Sequence, residues 1–209
     1  MKRIHDFEAL ASRYRANLIN SIPGFKSVSL VGTVNENGVE NLAIFNSFFH
    51  IGANPPLLGM VFRPEGEVER HTLENIRKTG CYTINHLNKD IVVKAHHTGA
   101  KFPSDTSEFK ACGLTPWYSS THSAPYVMES SIRIGMKLQS EMPVAANNTL
   151  ILIGAVTEIW LSEDFLSEDG FVDLALAGTL AGSNLDAYYE ASKLVRLSYP
   201  KPDAIPSQI

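Results

Sequence analysis

The stretch from Asn46 to Phe49 brings together the chemical groups that hold a flat ligand with polar edges. It reads Asn-Ser-Phe-Phe, follows a predicted strand that ends at Phe45, and precedes a run of small residues and a double proline. Backbone N–H groups, a side-chain amide, a hydroxyl and two aromatic faces together suit a planar heterocycle. Composition alone slightly favours the alternative, in which Phe48 and Phe49 enter the core from a loop.

A second segment, Arg70-His71-Thr72, has the composition of an anion site. Thr72 is a plausible cap for a predicted helix from Leu73 to Lys78, which Gly80 would end. A helix N-terminus presents free N–H groups and partial positive charge, so it can bind a phosphate, and Arg70 would add a charge-assisted bond. The alternative is an ordinary capped helix on the surface, which is the commoner meaning of such a motif.

The third segment is a cationic loop that contains His96, His97 and Lys101. Its charge and its glycine suit a loop that contacts a phosphate or covers a ligand. The alternative is a solvent-facing end of a predicted helix over residues 90–97, where histidine and lysine complement the helix dipole.

These segments lie among elements that predict a mainly β fold. Asn37-Gly38 is a strong hairpin signal between a strand at Ser27–Val34 and its return at Val39–Phe45. Further strands are predicted at 57–62, 81–86, 130–139 and 150–161, with a turn at Asn147-Asn148. Short strands at hairpin spacing favour a closed antiparallel, Greek-key-like barrel with helical additions over a doubly wound sheet.

The chain is expected to form a single domain over residues 1–209. Apolar residues at helical spacing predict an N-terminal helix over residues 6–20 with Asp6 as its cap. The proline-containing C-terminal segment, residues 180–209, is expected to form an arm, which in a dimer can wrap around the partner.

Composition excludes several classes of function. With 44% hydrophobic residues, 19% charged residues and a net charge of −4, the chain is an ordinary globular protein and not a general nucleic-acid binder. We expect no transmembrane segment and no signal peptide, and we expect its two cysteines, Cys81 and Cys112, to be reduced thiols in the cytoplasm. Neither a metal motif nor a Rossmann or P-loop fingerprint is present, so we expect no metal site.

Together, the Asn46–Phe49 stretch, the double proline, the Arg70–Ile76 segment and the His–Lys-Phe loop resemble the flavin reductase-like, FMN-binding split-barrel family (flavoredoxin or flavin reductase type). The resemblance runs from about Phe25 to about Leu161. It implies a split barrel whose cofactor, FMN, is held by Asn46, Ser47, Phe48, Phe49, Arg63, Arg70, Thr72 and Lys101. Many relatives carry an acidic residue where this chain has His71.

The same resemblance implies a function and an assembly. It implies an NAD(P)H-dependent flavin reductase that passes hydride through FMN N5, with His97 as a candidate contact for the nicotinamide or the flavin edge. It also implies a homodimer with FMN near the interface, and a flavin-dependent monooxygenase or another electron acceptor as partner. The C-terminal part, with Tyr188, Tyr189, Arg196 and Tyr199, would then belong to the dimer surface or to a neighbouring site. The alternatives are a non-enzymatic FMN-carrying electron-transfer or sensing protein, or a related barrel that binds another ligand, such as a pyridoxal phosphate or haem-degrading relative.

Overall fold

The computed structural model describes residues 1–64 and 70–209. Twelve strands occur in these ranges. They are β1 (Lys26–Ser27), β2 (Ser29–Val34), β3 (Glu40–Phe45), β4 (Phe48–Ala53), β5 (Pro56–Phe62), β6 (Cys81–His86), β7 (Pro116–Trp117), β8 (Tyr126–Val127), β9 (Arg133–Val144), β10 (Thr149–Trp160), β11 (Leu180–Ser183) and β12 (Ala187–Glu190).

The α-helices in the same ranges are short. They are α1 (Ser12–Ser21), α2 (His71–Thr79), α3 (Val92–His97) and α4 (Glu108–Cys112), and one turn of 3-10 helix covers Glu163–Phe165. None of the helices in the described part of the chain has the length and apolar character needed to cross a membrane.

Seven strands form the main sheet in the order β3-β2-β6-β9-β10-β5-β4. Every pairing in it is antiparallel, and the long β9–β10 hairpin lies at its centre. A second sheet has the order β1-β11-β12, and β7 pairs with β8. The predicted antiparallel, mainly β class is therefore confirmed.

Local turn chemistry explains the β2–β3 hairpin. Gly38 has φ +78°, a conformation that glycine adopts without a steric penalty. The side-chain Oδ1 of Asn35 accepts hydrogen bonds from the backbone N–H groups of Asn37 and Val39, each at 2.9 Å. The predicted hairpin is confirmed, because these interactions hold the turn without any distant partner.

Two apolar clusters form the core. One lies between the first hairpin, α3, α4 and β11, and includes Leu30, Leu42, Leu87, Phe109 and Val127. The other fills the interior of the main sheet and includes Val31, Met60, Ile76, Tyr82 and Leu152. The alternating strand residues Leu30 and Val31 belong to different clusters, so β2 is buried on both faces.

Strand β4 was not predicted. Its residues, Phe48–Ala53, pair with β5 at the edge of the main sheet. A tight turn joins Ala53 to its register partner Pro56, so Pro55 lies in the hairpin turn and Pro56 begins β5.

The N-terminal helix begins later than predicted. The structure has α1 at Ser12–Ser21 and not over residues 6–20. Asp6 does not cap it, because Asp6 Oδ1 accepts a hydrogen bond from Ala9 N at 3.2 Å within a separate turn. No residue of α1 is buried, so tertiary packing does not extend this helix towards the N-terminus.

The C-terminal arm also begins later than predicted. Within the predicted arm, residues 180–209, the first eleven residues form the β11–β12 hairpin, which pairs with β1. The exposed, extended part begins after Glu190, where Leu194, Tyr199 and Ile205 are 95%, 85% and 95% exposed.

Candidate functional site

A cleft of about 1060 Å³ lies between the end of β3, the start of α2, the loop after α3 and the β11–β12 hairpin. It brings together seven of the nine predicted site residues, namely Asn46, Ser47, Arg63, Arg70, Thr72, His97 and Lys101. These residues come from segments far apart in the sequence, so the tertiary fold builds the cleft.

Phe48 and Phe49 do not line this cleft. The Phe48 ring packs against the core inside the main sheet, with its centroid 6.2 Å from that of Phe45. The Phe49 ring covers Gly59 on the opposite face of the sheet, so closely that a Cβ on Gly59 would lie 2.3 Å from Phe49 Cζ. The alternation of side chains along β4 places the two phenylalanines on opposite faces of the sheet, and neither ring lines the cleft.

Arg70 directly precedes α2 and brings a positive charge to the cleft. Its Nε is buried and has no hydrogen-bond partner among the described residues. A buried guanidinium nitrogen without an acceptor is uncommon and calls for a partner, and an anion in the cleft would supply one.

The prediction that Thr72 is the N-cap of α2 was wrong. The helix begins at His71, and Arg70 is the cap residue. Thr72 is 6% exposed, and its Oγ1 accepts a hydrogen bond from Asn41 Nδ2 at 3.0 Å. Asn41 Nδ2 also lies 3.2 Å from Thr33 Oγ1, which accepts a third bond from Asn75 Nδ2 at 3.1 Å. This network fixes the first turn of α2 to the β2–β3 hairpin.

Glu108 places a buried carboxylate at the cleft wall, 5% exposed. Its Oε2 accepts a hydrogen bond from Leu42 N at 2.9 Å. Burial raises the pKa of Glu108, while the Leu42 N–H and the charge of His71 act in the opposite direction. Glu108 was not predicted as a site residue, and no local pattern marks it, because its hydrogen-bond partner Leu42 is 66 residues away.

The end of α3 and the loop after it supply exposed imidazole and ammonium groups. His97 and Lys101 line the cleft, and the His97 ring packs against Phe102 with centroids 5.5 Å apart. His96 lines it too, and His96 Nδ1 lies 2.7 Å from the Tyr188 hydroxyl on β12. This contact ties the end of α3 to the C-terminal hairpin.

The turn of the β11–β12 hairpin forms the remaining wall. Asn46 Nδ2 donates a hydrogen bond to Asn184 O at 2.6 Å, so the Asn46 amide holds this turn in place. Ser47 Oγ donates to Val61 O at 2.9 Å and thereby fixes the start of β4 against β5. Asn184 was not predicted as a site residue, although asparagine tolerates the left-handed conformation of a turn.

The four C-terminal residues implied by the resemblance separate in the structure. Tyr188 lines the cleft. Tyr189 packs on Phe25 with ring centroids 4.7 Å apart, and Arg196 pairs with Asp169. Tyr199 is 85% exposed. Of this group, only Tyr188 reaches the cleft within one chain.

Comparison with known proteins places this geometry in a family. The model of the flavin reductase like domain matches residues 25–178. A structure described as a flavin reductase with split barrel domain, from Shewanella frigidimarina, is 45% identical, with a TM-score of 0.90 over 95% of this chain and 100% of that chain.

Two more distant structures share the fold. Nitrilotriacetate monooxygenase component B from Bacillus cereus is 22% identical, with a TM-score of 0.83 over 94% of this chain and 98% of that chain. Flavoredoxin from Desulfovibrio vulgaris is also 22% identical, with a TM-score of 0.72 over 94% and 96% of the two chains. The family match covers most of the chain, from β1 to the segment before β11. This protein therefore belongs to the flavin reductase-like family, and its fold is the split barrel of that family.

Proposed function

We propose that this protein binds FMN in the cleft and acts as an NAD(P)H-dependent flavin reductase. The observation that carries the proposal is the buried, partnerless Nε of Arg70 beside Thr72 at the start of α2. A phosphate there would satisfy the guanidinium and approach the backbone N–H groups at the start of α2. Lys101 and Arg63 line the same cleft and add positive charge.

The rest of the cleft suits a ring system. Ile44, Phe45 and Val61 supply apolar surface, while Asn46, Ser47 and the β11–β12 turn supply polar groups. The volume of about 1060 Å³ is at the upper end of the range for small-molecule sites. A flavin would therefore leave room for a second ring beside it.

Bound FMN would supply the redox chemistry, which is hydride and electron transfer. The protein would hold the phosphate with Arg70 and Thr72 and orient the ring through Asn46, Ser47 and the C-terminal turn. His97, exposed at the cleft, is the residue we propose to contact the nicotinamide or the flavin edge. Orientation of the two reactants is the main catalytic task, because no side-chain base is required.

A homodimer is also part of the proposal. Gly59 on β5 is in register with Phe49 on β4 and with Ile153 on β10. Val61 on β5 is in register with Ile151 on β10. Cross-strand neighbours share a face, so these residues form an apolar outer surface of the sheet. Phe49 is 40% exposed on it, and Val61 extends it to the cleft. A second copy covering this surface would lie beside the bound flavin.

Purified protein tests the function directly. FMN is titrated into the protein, and binding is followed by quenching of flavin fluorescence. NADH or NADPH is then added anaerobically, and loss of the oxidised flavin absorption is recorded. Binding followed by rapid bleaching is the expected result, and failure to take up FMN contradicts the proposal.

A second candidate is an electron-transfer protein that carries FMN and does not react directly with a nicotinamide. The fold shared with a flavoredoxin favours it. The same anaerobic experiment separates the two, because a carrier would bind FMN but would not be bleached by either nucleotide. For a reductase, the fold shared with a monooxygenase component B suggests a flavin-dependent monooxygenase as the acceptor of reduced flavin.

A further inference from the structure

Asn184, one of the residues that line the cleft, carries a second buried polar atom without a partner, and the phosphate site does not account for it. Oδ1 of Asn184 is buried and makes no hydrogen bond to any described residue, while Asn184 lines the cleft. Buried side-chain oxygens nearly always have a partner, and the exceptions need an explanation.

The neighbouring hydrogen bond fixes which amide atom is left over. Asn184 Nδ2 donates to Asp186 Oδ1 at 2.8 Å. Turning the amide over would set its oxygen against the carboxylate, which repels it, so the orientation is determined by chemistry. The unpaired group is therefore an acceptor, and the missing partner is a donor.

The acceptor is also held rigidly. Asn184 has φ +55° in the β11–β12 turn. Its backbone oxygen receives hydrogen bonds from Asn46 Nδ2 at 2.6 Å and from Lys26 Nζ at 3.3 Å. A group fixed in this way loses little freedom when a ligand binds, which favours selective recognition.

We propose that Asn184 is a specificity residue whose Oδ1 accepts a hydrogen bond from the imide N–H of the bound heterocycle. The inference rests on the proposed FMN site, and it names the edge of the ring that this chain recognises. The flavin N3–H, between two carbonyl groups, is a donor of this kind. The ligand class selected is a ring with a free imide N–H, as opposed to one that is alkylated there.

The experiment compares FMN with FMN methylated at N3, using fluorescence quenching to measure both dissociation constants. Wild-type protein should bind FMN at least about tenfold more tightly, because a site that hydrogen-bonds a donor rejects the analogue that lacks it. Asn184→Gly removes the amide and tolerates the positive φ. It should weaken FMN binding about fivefold to tenfold, as expected for one hydrogen bond, and should bind the two ligands within about twofold of each other.

A paired exchange provides the rescue. Asn184→Asp combined with Asp186→Asn reverses the hydrogen bond between the two side chains and keeps an acceptor at position 184, so it should retain the preference for FMN. Asn148→Gly is the matched control, because Asn148 also has a positive φ, +57°, but does not line the cleft. It should bind both ligands like the wild type, and thermal melting checks that all variants are folded.

The outcomes separate this inference from the function on which it rests. Wild-type protein that binds neither flavin contradicts both. Wild-type protein that binds FMN while Asn184→Gly keeps the full preference over the methylated flavin contradicts only the role of Asn184. In that case the residue serves the turn alone.

Discussion

The amide nitrogen of Asn41 donates a hydrogen bond to the hydroxyl oxygen of Thr72, with Nδ2 and Oγ1 3.0 Å apart. Because Thr72 Oγ1 is the acceptor, its own proton is directed away from Asn41. Thr72 lines the cleft at the start of α2. The contact therefore leaves the hydroxyl proton of Thr72 available to another acceptor, and we propose that this acceptor is the phosphate.

Thr72→Val removes this hydroxyl with little change of shape. A hydrogen bond to a charged group contributes roughly 1.5–3 kcal/mol, so FMN affinity should fall about 10- to 150-fold. Riboflavin, which has no phosphate, should be affected much less. Fluorescence titration measures both, and Thr72→Ser, which keeps the hydroxyl, is the control. Equal losses in the two variants would point to packing and not to the hydrogen bond.

Arg70→Ala should likewise lower the affinity for FMN by at least about tenfold and the affinity for riboflavin much less, because only FMN offers a charged partner to the guanidinium. Arg70→Lys should recover part of the affinity, since it keeps the charge but not the planar fork. Arg77→Ala is a suitable control, because Arg77 lies on the same helix and pairs with Glu141 outside the cleft. If Arg70→Ala lowers the affinities for FMN and riboflavin to the same extent, Arg70 does not bind the phosphate.

Sequence patterns predicted those parts of the molecule that depend on neighbouring residues. The Asn35–Gly38 hairpin is held by bonds within the turn, and Gly80 ends α2 at φ +72° as expected. The position of Arg70 and Thr72 at the start of α2 was also predicted from a local pattern, which is a cation and a hydroxyl next to a helix.

Contacts between segments that are distant in the sequence could not be predicted from such local patterns. The side-chain amide of Asn46 donates a hydrogen bond to the backbone oxygen of Asn184, which is 138 residues away. The carboxylate of Glu108 accepts a hydrogen bond from the backbone N–H of Leu42, which is 66 residues away. The side on which Phe48 and Phe49 lie depends on the register of β4 against β5, and a shift of one residue exchanges the two faces. The direction in which these two side chains point therefore depends on the tertiary fold and could not be predicted from the sequence of the stretch.

His86 gives the stability of the protein a defined dependence on pH. Burial lowers the pKa of His86 from 6.5 to about 4, and its Nδ1 lies 3.2 Å from Thr179 Oγ1. In the unfolded chain the imidazole takes up a proton near pH 6.5, whereas the folded protein resists protonation until about pH 4. The contribution of His86 to stability is therefore complete above pH 6.5 and is lost as the pH falls towards 4.

Urea unfolding between pH 7.5 and 4 measures this effect. His86→Gln keeps a hydrogen-bonding group but does not titrate, so its free energy of unfolding should fall less steeply with acidification. The difference between the two curves should approach about 3 kcal/mol at the acid end, which is the free energy equivalent of the shift. Parallel curves for the two proteins contradict this assignment.

The proposed dimer can be tested on the apolar outer face of the sheet. Ile153 lies on this face, in register with Gly59, over which the Phe49 ring packs. Ile153→Glu would place a charge in the buried centre of the interface, so light scattering should show conversion from dimer to monomer. Val93→Glu is the control, because Val93 is an apolar residue that is 80% exposed on α3.

FMN binding by the same variants shows whether the interface and the cleft depend on each other. Val61 belongs to both surfaces, so loss of the second copy should expose one side of the flavin and weaken its binding. A monomeric Ile153→Glu protein that binds FMN as tightly as the wild type would show that one chain holds the cofactor alone. A wild-type protein that is monomeric while FMN is tightly bound would contradict the shared site, but it would leave the roles proposed for Arg70 and Thr72 intact.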